Sequence, residues 1–184
     1  MVNFMRRIFR WLNKYFMVPV FRMGFGSFVG NPLSGYIMVL KVIGHKTGLL
    51  RYVPVNYSIL DGNIYCLSGF GKIAHWYKNL IVHPQIEIIM PSGTLSGMAA
   101  SVTDAEEWLR ATRHILKNGG FAGFLAGYNA FTISDEKLRE KGAEMIVFRI
   151  TPTGVYGGMA DPGGWLWFWL TVAAALIVAL AILT

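Results

Sequence analysis

The stretch Gly44-His45-Lys46-Thr47-Gly48-Leu49-Leu50-Arg51 joins two apolar runs, at residues 36–43 and 52–59. Both runs are rich in β-branched and aromatic residues, so they predict strands, and the stretch between them predicts a turn. The two glycines allow a positive φ, and outward-facing amides beside Lys46 and Arg51 would suit a phosphate or carboxylate group. On these residues alone, an ordinary basic hairpin with solvated side chains is the alternative.

Two motifs in and after this turn carry a family resemblance. Gly44-His-Lys-Thr-Gly-x-x-Arg51, followed by Val53-Pro54, is similar to the Gly-Arg-Lys-[Ser/Thr]-Gly-x-x-Arg…Val-Pro signature of the deazaflavin-dependent nitroreductase family. Residues 74–80, which read Ala-His-Trp-Tyr-Lys-Asn-Leu, with His83-Pro84 after them, resemble its Pro-x-Trp-Tyr-x-Asn-Leu…Asn-Pro motif. The resemblance covers residues 32–152 and implies a split-barrel oxidoreductase that uses coenzyme F420, in a family that includes quinone reductases.

The resemblance also implies which residues bind the cofactor. The phosphate and acidic tail would be held by His45, Lys46, Thr47 and Arg51, of which Lys46 and Arg51 are supported independently by the charge argument above. The remaining expected contacts are Tyr52, Val53, Pro54, Val55 and Asn56 beside the ring, Cys66, Leu67, Ser68 and Gly69 through their backbone, and His75, Trp76, Tyr77, Lys78 and Asn79 from a short helix. Without the resemblance, Trp76 and Tyr77 fit core packing equally well, and Asn79 could simply cap or cross-link the backbone.

The implied chemistry is hydride transfer from the reduced deazaflavin (8-hydroxy-5-deazaflavin) ring, which needs no obligatory general acid, so no catalytic side chain is assigned. The sequence departs from the family pattern at His45, where Arg is common, and in the segment expected to lie over the pocket. There Phe121 and Phe124 stand where nitroreducing members carry tyrosines, and only Tyr128 keeps a hydroxyl. These three candidate substrate contacts favour a lipophilic acceptor such as a quinone over a polar nitro compound.

Two other functions stay open at this point. The absence of the substrate tyrosines is also consistent with a non-catalytic split-barrel module that binds a deazaflavin or another anionic ligand. The same barrel could use FMN, which the resemblance makes the less favoured cofactor.

Charge is distributed unevenly along the 184 residues, whose formal net charge is +7. The first acidic residue is Asp61, so the front of the chain is basic and favours an anionic partner. Nucleic acid is disfavoured because no nucleic-acid-binding motif is present and the basic segment is strongly apolar. The single cysteine, Cys66, excludes an intrachain disulfide, and the four histidines show no metal-ligand spacing, so no metal site is predicted.

The N-terminal segment, residues 1–31, contains a predicted amphipathic helix. Its apolar positions recur at steps of three and four, and its cationic positions fill most of the others; the apolar set is Phe4, Ile8, Trp11, Leu12 and Tyr15, and the cationic set is Arg6, Arg7, Arg10 and Lys14. This pattern is typical of a helix in the interface of an anionic membrane. The alternative is an ordinary helix that packs its apolar face on the domain.

Residues 32–152 predict a cofactor-binding α+β domain. Six strands are expected, at residues 36–43, 52–59, 64–68, 86–90, 94–102 and 145–151, with helices between the third and fourth and before the sixth. Hairpin spacing favours an antiparallel barrel, which agrees with the split barrel (FMN-binding-like) that the resemblance implies. A capping box of Thr103 and Glu106 is predicted to begin the longer helix.

The C-terminal segment is strongly apolar. Residues 153–164 predict a flexible linker, and residues 165–184, which contain no charged residue, predict a membrane-spanning helix with tryptophans at its start. Because every lysine and arginine precedes this helix, the barrel would lie on the cytoplasmic side of the cell membrane in a single-pass protein. A buried core helix is the alternative, and a homodimer is left open.

Overall fold

The computed structural model describes the backbone of residues 2–31, 35–120, 129, 131–155 and 165–183 and the side chains of residues 7–31, 35–120, 129, 131–154 and 172–182. Six antiparallel strands close into a barrel in the order β1-β2-β3-β6-β5-β4, and β4 pairs with β1. The strands are β1 (Ile37–Ile43), β2 (Leu50–Leu60), β3 (Asn63–Ser68), β4 (Gln85–Met90), β5 (Gly93–Ser101) and β6 (Ile146–Val155). The predicted α+β barrel and all six strands are therefore confirmed.

The barrel interior is filled by alternate residues of the strands, because successive side chains point to opposite faces. On β1 the buried Met38, Leu40 and Val42 lie in the core, and on β6 Phe148 and Ile150 join them. A short helix, α4 (His75–Val82), follows β3 after a 3-10 turn at Gly71–Ile73 and packs Leu80 on the same core. The barrel end at which β3 finishes is therefore covered by α4.

The N-terminal helices pack on the outside of the barrel. Helix α1 (Val2–Leu12) continues through a π-helical turn (Asn13–Met17) into α2 (Val18–Arg22), and a short α3 (Gly26–Val29) follows. Leu12, Met17 and Phe21 pack with Val39 of β1 and Ile89 of β4. Met17 follows Leu12 by five residues, a step that a π turn places on one face, and Phe21 follows by the usual four.

This packing contradicts the alternative that the first helix buries its predicted apolar face on the domain. Of the expected residues whose side chains are described, Leu12 belongs to the cluster that packs on the barrel, whereas Ile8, Trp11 and Tyr15 are exposed. The side chain of Phe4 lies outside the described residues. The helix therefore does not bury this face on the domain, because the π turn presents a different stripe to the strands.

Helix α5 (Ala105–Asn118) covers the opposite outer side of the barrel, over β2, β3 and β6. Its buried Ala111 and Ile115 pack against Tyr65 and Val147. The predicted capping box is wrong by one residue, since Asp104 is the N-cap and its Oδ1 accepts from the backbone N–H of Glu107 at 2.8 Å. Helix α6 (Asp135–Lys141) begins after its N-cap Ser134, whose hydroxyl oxygen accepts from the backbone N–H of Lys137.

The C-terminal helix α7 forms over Trp165–Leu183. Across the part of the chain that the structure describes, however, no helix combines the length and the apolar character needed to cross a bilayer. The predicted membrane span is therefore not supported. Residues 156–164 of the predicted linker, and Phe121, Phe124 and Tyr128 of the predicted substrate segment, lie outside the described residues.

Candidate functional site

Strands β2 and β3 pair over only part of their length. Their register joins residues 57–60 of β2 to residues 63–66 of β3, whereas β2 pairs with β1 from Leu50 to Asn56. The beginning of β2 and the end of β3 therefore separate at the same end of the barrel. The turn between β1 and β2 and the helix α4 also lie at this end, because neighbouring strands are antiparallel.

Backbone alternation shows which groups of β2 face this opening. The N–H of Tyr57 donates to the carbonyl of Tyr36, just before β1, at 3.1 Å. Neighbouring residues of an antiparallel strand direct their polar groups to opposite sides, so Tyr52, Pro54 and Asn56 direct theirs toward β3. Pro54 has no N–H to donate, and a side of the strand without a ladder partner is where a proline costs least.

The turn between β1 and β2 uses most of its own amides. The N–H groups of Thr47 and Gly48 donate to the carbonyl of Gly44, and the N–H of Gly44 donates to Leu49. The backbone N–H of His45 donates to Oδ1 of Asn79 at 3.0 Å. The expectation that these amides face outward toward an anion is therefore wrong, because the chain reverses by bonding them within the turn and to α4.

Asn79 attaches this turn to α4. It is buried, and besides the backbone contact its Oδ1 lies 2.7 Å from Nδ1 of the His45 ring. Two bonds from one carboxamide oxygen fix the ring and the backbone of the same residue. The expected role of Asn79 as a backbone cross-link is thus observed, and it sets the position of the turn relative to the end of the barrel.

Two cations of the turn are available for a ligand. Lys46 and Arg51 are exposed, and neither takes part in an ion pair within the described residues. Arg51 lies on the same strand face as Val53 and Val55, and a Cβ placed on Gly44 would lie 3.7 Å from its Nε. The Arg51 guanidinium therefore lies beside the turn that carries Lys46, and the donor set suits an anionic group.

Aromatic side chains occupy the end of the barrel under this turn. The rings of Trp76 and Tyr77 lie 5.7 Å and 5.8 Å from the ring of Phe148, and both residues are half-buried against the core that includes Val53 and Val55. Core packing of Trp76 and Tyr77 is thus observed. Phe148 was not among the expected site residues, although the alternation of Ile146, Phe148 and Ile150 places it on the inner face of β6.

The end of β3 offers its backbone rather than its side chains. Cys66 is fully buried, and burial raises the pKa of its thiol to about 12, so the sulfur stays protonated. Ser68 donates its hydroxyl to the carbonyl of Gly71 at 3.0 Å. Gly69 is exposed, and a Cβ built on it would meet no heavy atom of the described residues within 4 Å, so none of these residues fills the space beside its backbone.

The other expected residues lie around this centre. His75 and Lys78 are exposed on α4, Leu67 packs outward toward α5, and Thr47 is exposed in the turn. The Tyr52 side chain faces the N-terminal helices, where the Arg22 guanidinium lies 4.6 Å from its ring centroid. Asn56 donates from Nδ2 to the carbonyl of Tyr36 at 3.3 Å. Tyr52 can therefore reach the opening between β2 and β3 through its backbone only.

Among the comparisons with known proteins, a family model identifies one family. The model of the F420H(2)-dependent quinone reductase family matches residues 17–120. None of the curated proteins matches this chain.

Solved structures of low sequence identity resemble this chain over about two thirds of its length. One is described as a 5-nitroimidazole antibiotic resistance protein from Bacteroides thetaiotaomicron, with 15% identity, a TM-score of 0.49, and coverage of 65% of this chain and 74% of that one. HutZ, the heme storage protein of Vibrio cholerae, has 18% identity, a TM-score of 0.46 and coverage of 65% and 84%. An F420-H2 dependent reductase, FDR-A, has 19% identity, a TM-score of 0.40 and coverage of 62% and 92%.

Proposed function

The chain belongs to the F420H(2)-dependent quinone reductase family, and from this premise we propose that it transfers a hydride from reduced coenzyme F420 to a lipophilic acceptor such as a quinone. It is an F420-dependent reductase by family, and the acceptor is the part that we infer. The observation that carries the proposal is a pair of exposed cations, Lys46 and Arg51, which make no ion pair within the described residues and lie at the end of the barrel where β2 and β3 are not paired.

The residues at the site fit an anionic cofactor with a flat ring. Lys46 and Arg51 would bind its phosphate and acidic tail, and Asn79 holds the turn that presents them. The backbone of β2 at Tyr52, Pro54 and Asn56, together with the open space beside Gly69, would border the ring. Such a site acts by position rather than by acid–base chemistry, since the cofactor carries the reactive group.

When bound, the reduced deazaflavin supplies a hydride from its ring carbon. The protein has to hold an acceptor against that ring and limit the access of water. The packed rings of Trp76, Tyr77 and Phe148 would serve the second purpose. Phe70 follows Gly69 directly and Ile73 lies three residues further on; both are exposed and apolar, and they favour an apolar acceptor beside the opening.

The first test measures cofactor binding. Coenzyme F420 fluorescence is titrated with the wild-type protein and with Lys46→Gln, and Lys137→Gln on α6 serves as a control with the same loss of charge. A charge-assisted hydrogen bond is worth about 1.5–3 kcal/mol, so the Lys46 variant should bind roughly ten- to a hundredfold more weakly and the control should bind like the wild type. Equal weakening in both variants would show that Lys46 has no specific role.

The second test measures turnover. Reduced coenzyme F420 is mixed anaerobically with a short-chain quinone, and the return of cofactor absorbance is followed with and without the protein. Acceleration that saturates with quinone supports the proposal. Tight binding of the cofactor without any acceleration would contradict it and leave a deazaflavin-binding module. A yellow flavin bound to the protein as purified would instead identify FMN as its cofactor.

A further inference from the structure

A set of aromatic and aliphatic side chains on the N-terminal helices is exposed; we call it the aromatic face. It consists of Ile8, Phe9, Trp11, Tyr15, Phe16, Phe25 and Phe28. The exposed fraction is 64% for Trp11, 59% for Tyr15 and 76% for Phe28, which are high values for rings of this size. Trp11 contacts Tyr15 at 5.7 Å between ring centroids, and Phe25 contacts Phe28 at 6.0 Å.

The side chains of the aromatic face are not the ones that pack the N-terminal helices on the barrel. The helices already bury one stripe on the barrel, through Leu12, Met17 and Phe21, and the π turn is what brings these three into line. Ile8, Trp11 and Tyr15 form a second stripe, at steps of three and four, and their side chains are exposed rather than packed on the barrel. Exposed apolar side chains at helical spacing, beyond those that the fold buries, are typical of a binding site.

The charges beside the aromatic face indicate what binds there. Arg7, Arg10 and Lys14 are exposed on the same helix, and the Lys14 ammonium lies 4.8 Å from the ring centroid of Tyr15. No Asp or Glu occurs in the chain before Asp61, so this surface has no acidic residue of its own segment to neutralise it. Exposed cations interleaved with tryptophan, tyrosine and phenylalanine match the headgroup region of a bilayer that contains anionic lipid.

We propose that the aromatic face docks this protein on the surface of an anionic lipid bilayer, with α1 lying in the plane of the interface. The rings enter the boundary between headgroups and acyl chains, and Arg7, Arg10 and Lys14 contact lipid phosphates. The proposal concerns a surface on the opposite side of β1 from the core and is independent of the reductase assignment. It requires no helix that crosses the membrane.

The test uses the full chain and vesicles of phosphatidylglycerol mixed with phosphatidylcholine, with pure phosphatidylcholine for comparison. Sedimentation with the vesicles measures binding. The double variant Trp11→Ser/Tyr15→Ser should bind the anionic vesicles at least about tenfold more weakly, because two rings no longer leave water. The triple variant Arg7→Gln/Arg10→Gln/Lys14→Gln should lose about fivefold for each cation removed.

Matched controls separate position from composition. Lys117→Gln/Lys137→Gln/Lys141→Gln removes the same net charge from α5 and α6, and Ile59→Ser removes an exposed apolar side chain of β2. Both should bind vesicles like the wild type. Circular dichroism checks that every variant keeps its fold, and amide hydrogen exchange locates the contact, which should protect residues 7–28 on addition of anionic vesicles.

Three outcomes would overturn the proposal. Binding of the triple variant as tight as that of its charge-matched control would remove the role of the cations. Protection confined to residues outside 7–28 would assign lipid binding to another part of the chain. Self-association in the absence of vesicles, abolished by Trp11→Ser/Tyr15→Ser, would show that a second copy covers the aromatic face instead.

Discussion

Asn79 links two parts of the site that are 34 residues apart in sequence. Nδ1 of the His45 ring lies 2.7 Å from Asn79 Oδ1, so this contact fixes the ring as well as the turn. Arginine stands at this position in the family signature and would add a fixed charge. The fixed charges of the proposed anion site therefore come from Lys46 and Arg51.

Cys66 gives a prediction about alkaline stability. Burial raises the pKa of its thiol from 9.0 to about 12, so between these values the unfolded chain loses a proton that the folded chain retains. Stability that is fully present below pH 9 should therefore decline as the pH rises, by about 1.4 kcal/mol per pH unit from this group alone. Urea unfolding of the wild type and of Cys66→Ala, at pH 8 and pH 10.5, measures the difference.

The variant isolates the thiol from the other groups that titrate at high pH. Cys66→Ala should be less stable at pH 8, since it leaves a small cavity, yet it should lose about 2 kcal/mol less than the wild type on going to pH 10.5. The native thiol should also react with a disulfide reagent only as fast as the protein opens. The same pH dependence in both proteins would mean that Cys66 is accessible to water.

At the scale of elements, the N-terminus of α5 allows a choice between two possible capping residues, Thr103 and Asp104, to be tested. The sequence offers Thr103 and Glu106 as a capping box, and the structure uses Asp104 with the N–H of Glu107. Asp104→Ala should lower the free energy of unfolding by about 1 kcal/mol, whereas Thr103→Ala should stay within about 0.5 kcal/mol of the wild type. Denaturant unfolding of both variants measures these changes. A larger loss of stability in Thr103→Ala than in Asp104→Ala would show that Thr103 caps the helix.

The positions of the strands could be predicted from the sequence, whereas the packing face of the N-terminal helices could not. Strand positions follow from alternation and turn residues, both of which are local, so all six were predictable from the sequence. The face that α1 presents to the barrel was not, because Leu12, Met17 and Phe21 are aligned by a π turn whose only sequence trace is a five-residue step. The cap of α5 was missed for a similar reason, since Thr103 and Asp104 are both good caps and packing decides between them.

At the scale of the whole molecule, the decisive feature is the separation of β2 from β3. Lys46 and Arg51 could be selected from the spacing of a motif, but the opening beneath them could not. It arises because β2 follows β1 over Leu50–Asn56 while the end of β3 follows β6 at Leu67 and Ser68. A long strand shared between two neighbours is a property of the closed barrel, and Phe148, which completes the aromatic packing, comes from the last strand of it.

Gly69 allows this opening to be tested without disturbing the fold. It is exposed at the end of β3, and a Cβ placed on it would meet no heavy atom of the described part of the chain within 4 Å, so Gly69→Leu should change the free energy of unfolding by less than about 0.5 kcal/mol. The added side chain would occupy the space proposed for the deazaflavin ring, and coenzyme F420 affinity should fall at least tenfold. Gly154→Leu is the matched control, because Gly154 of β6 is equally open and lies away from the opening. Fluorescence titration with both variants decides the matter: cofactor binding that survives Gly69→Leu would place the ring elsewhere on the barrel, whatever Lys46 contributes.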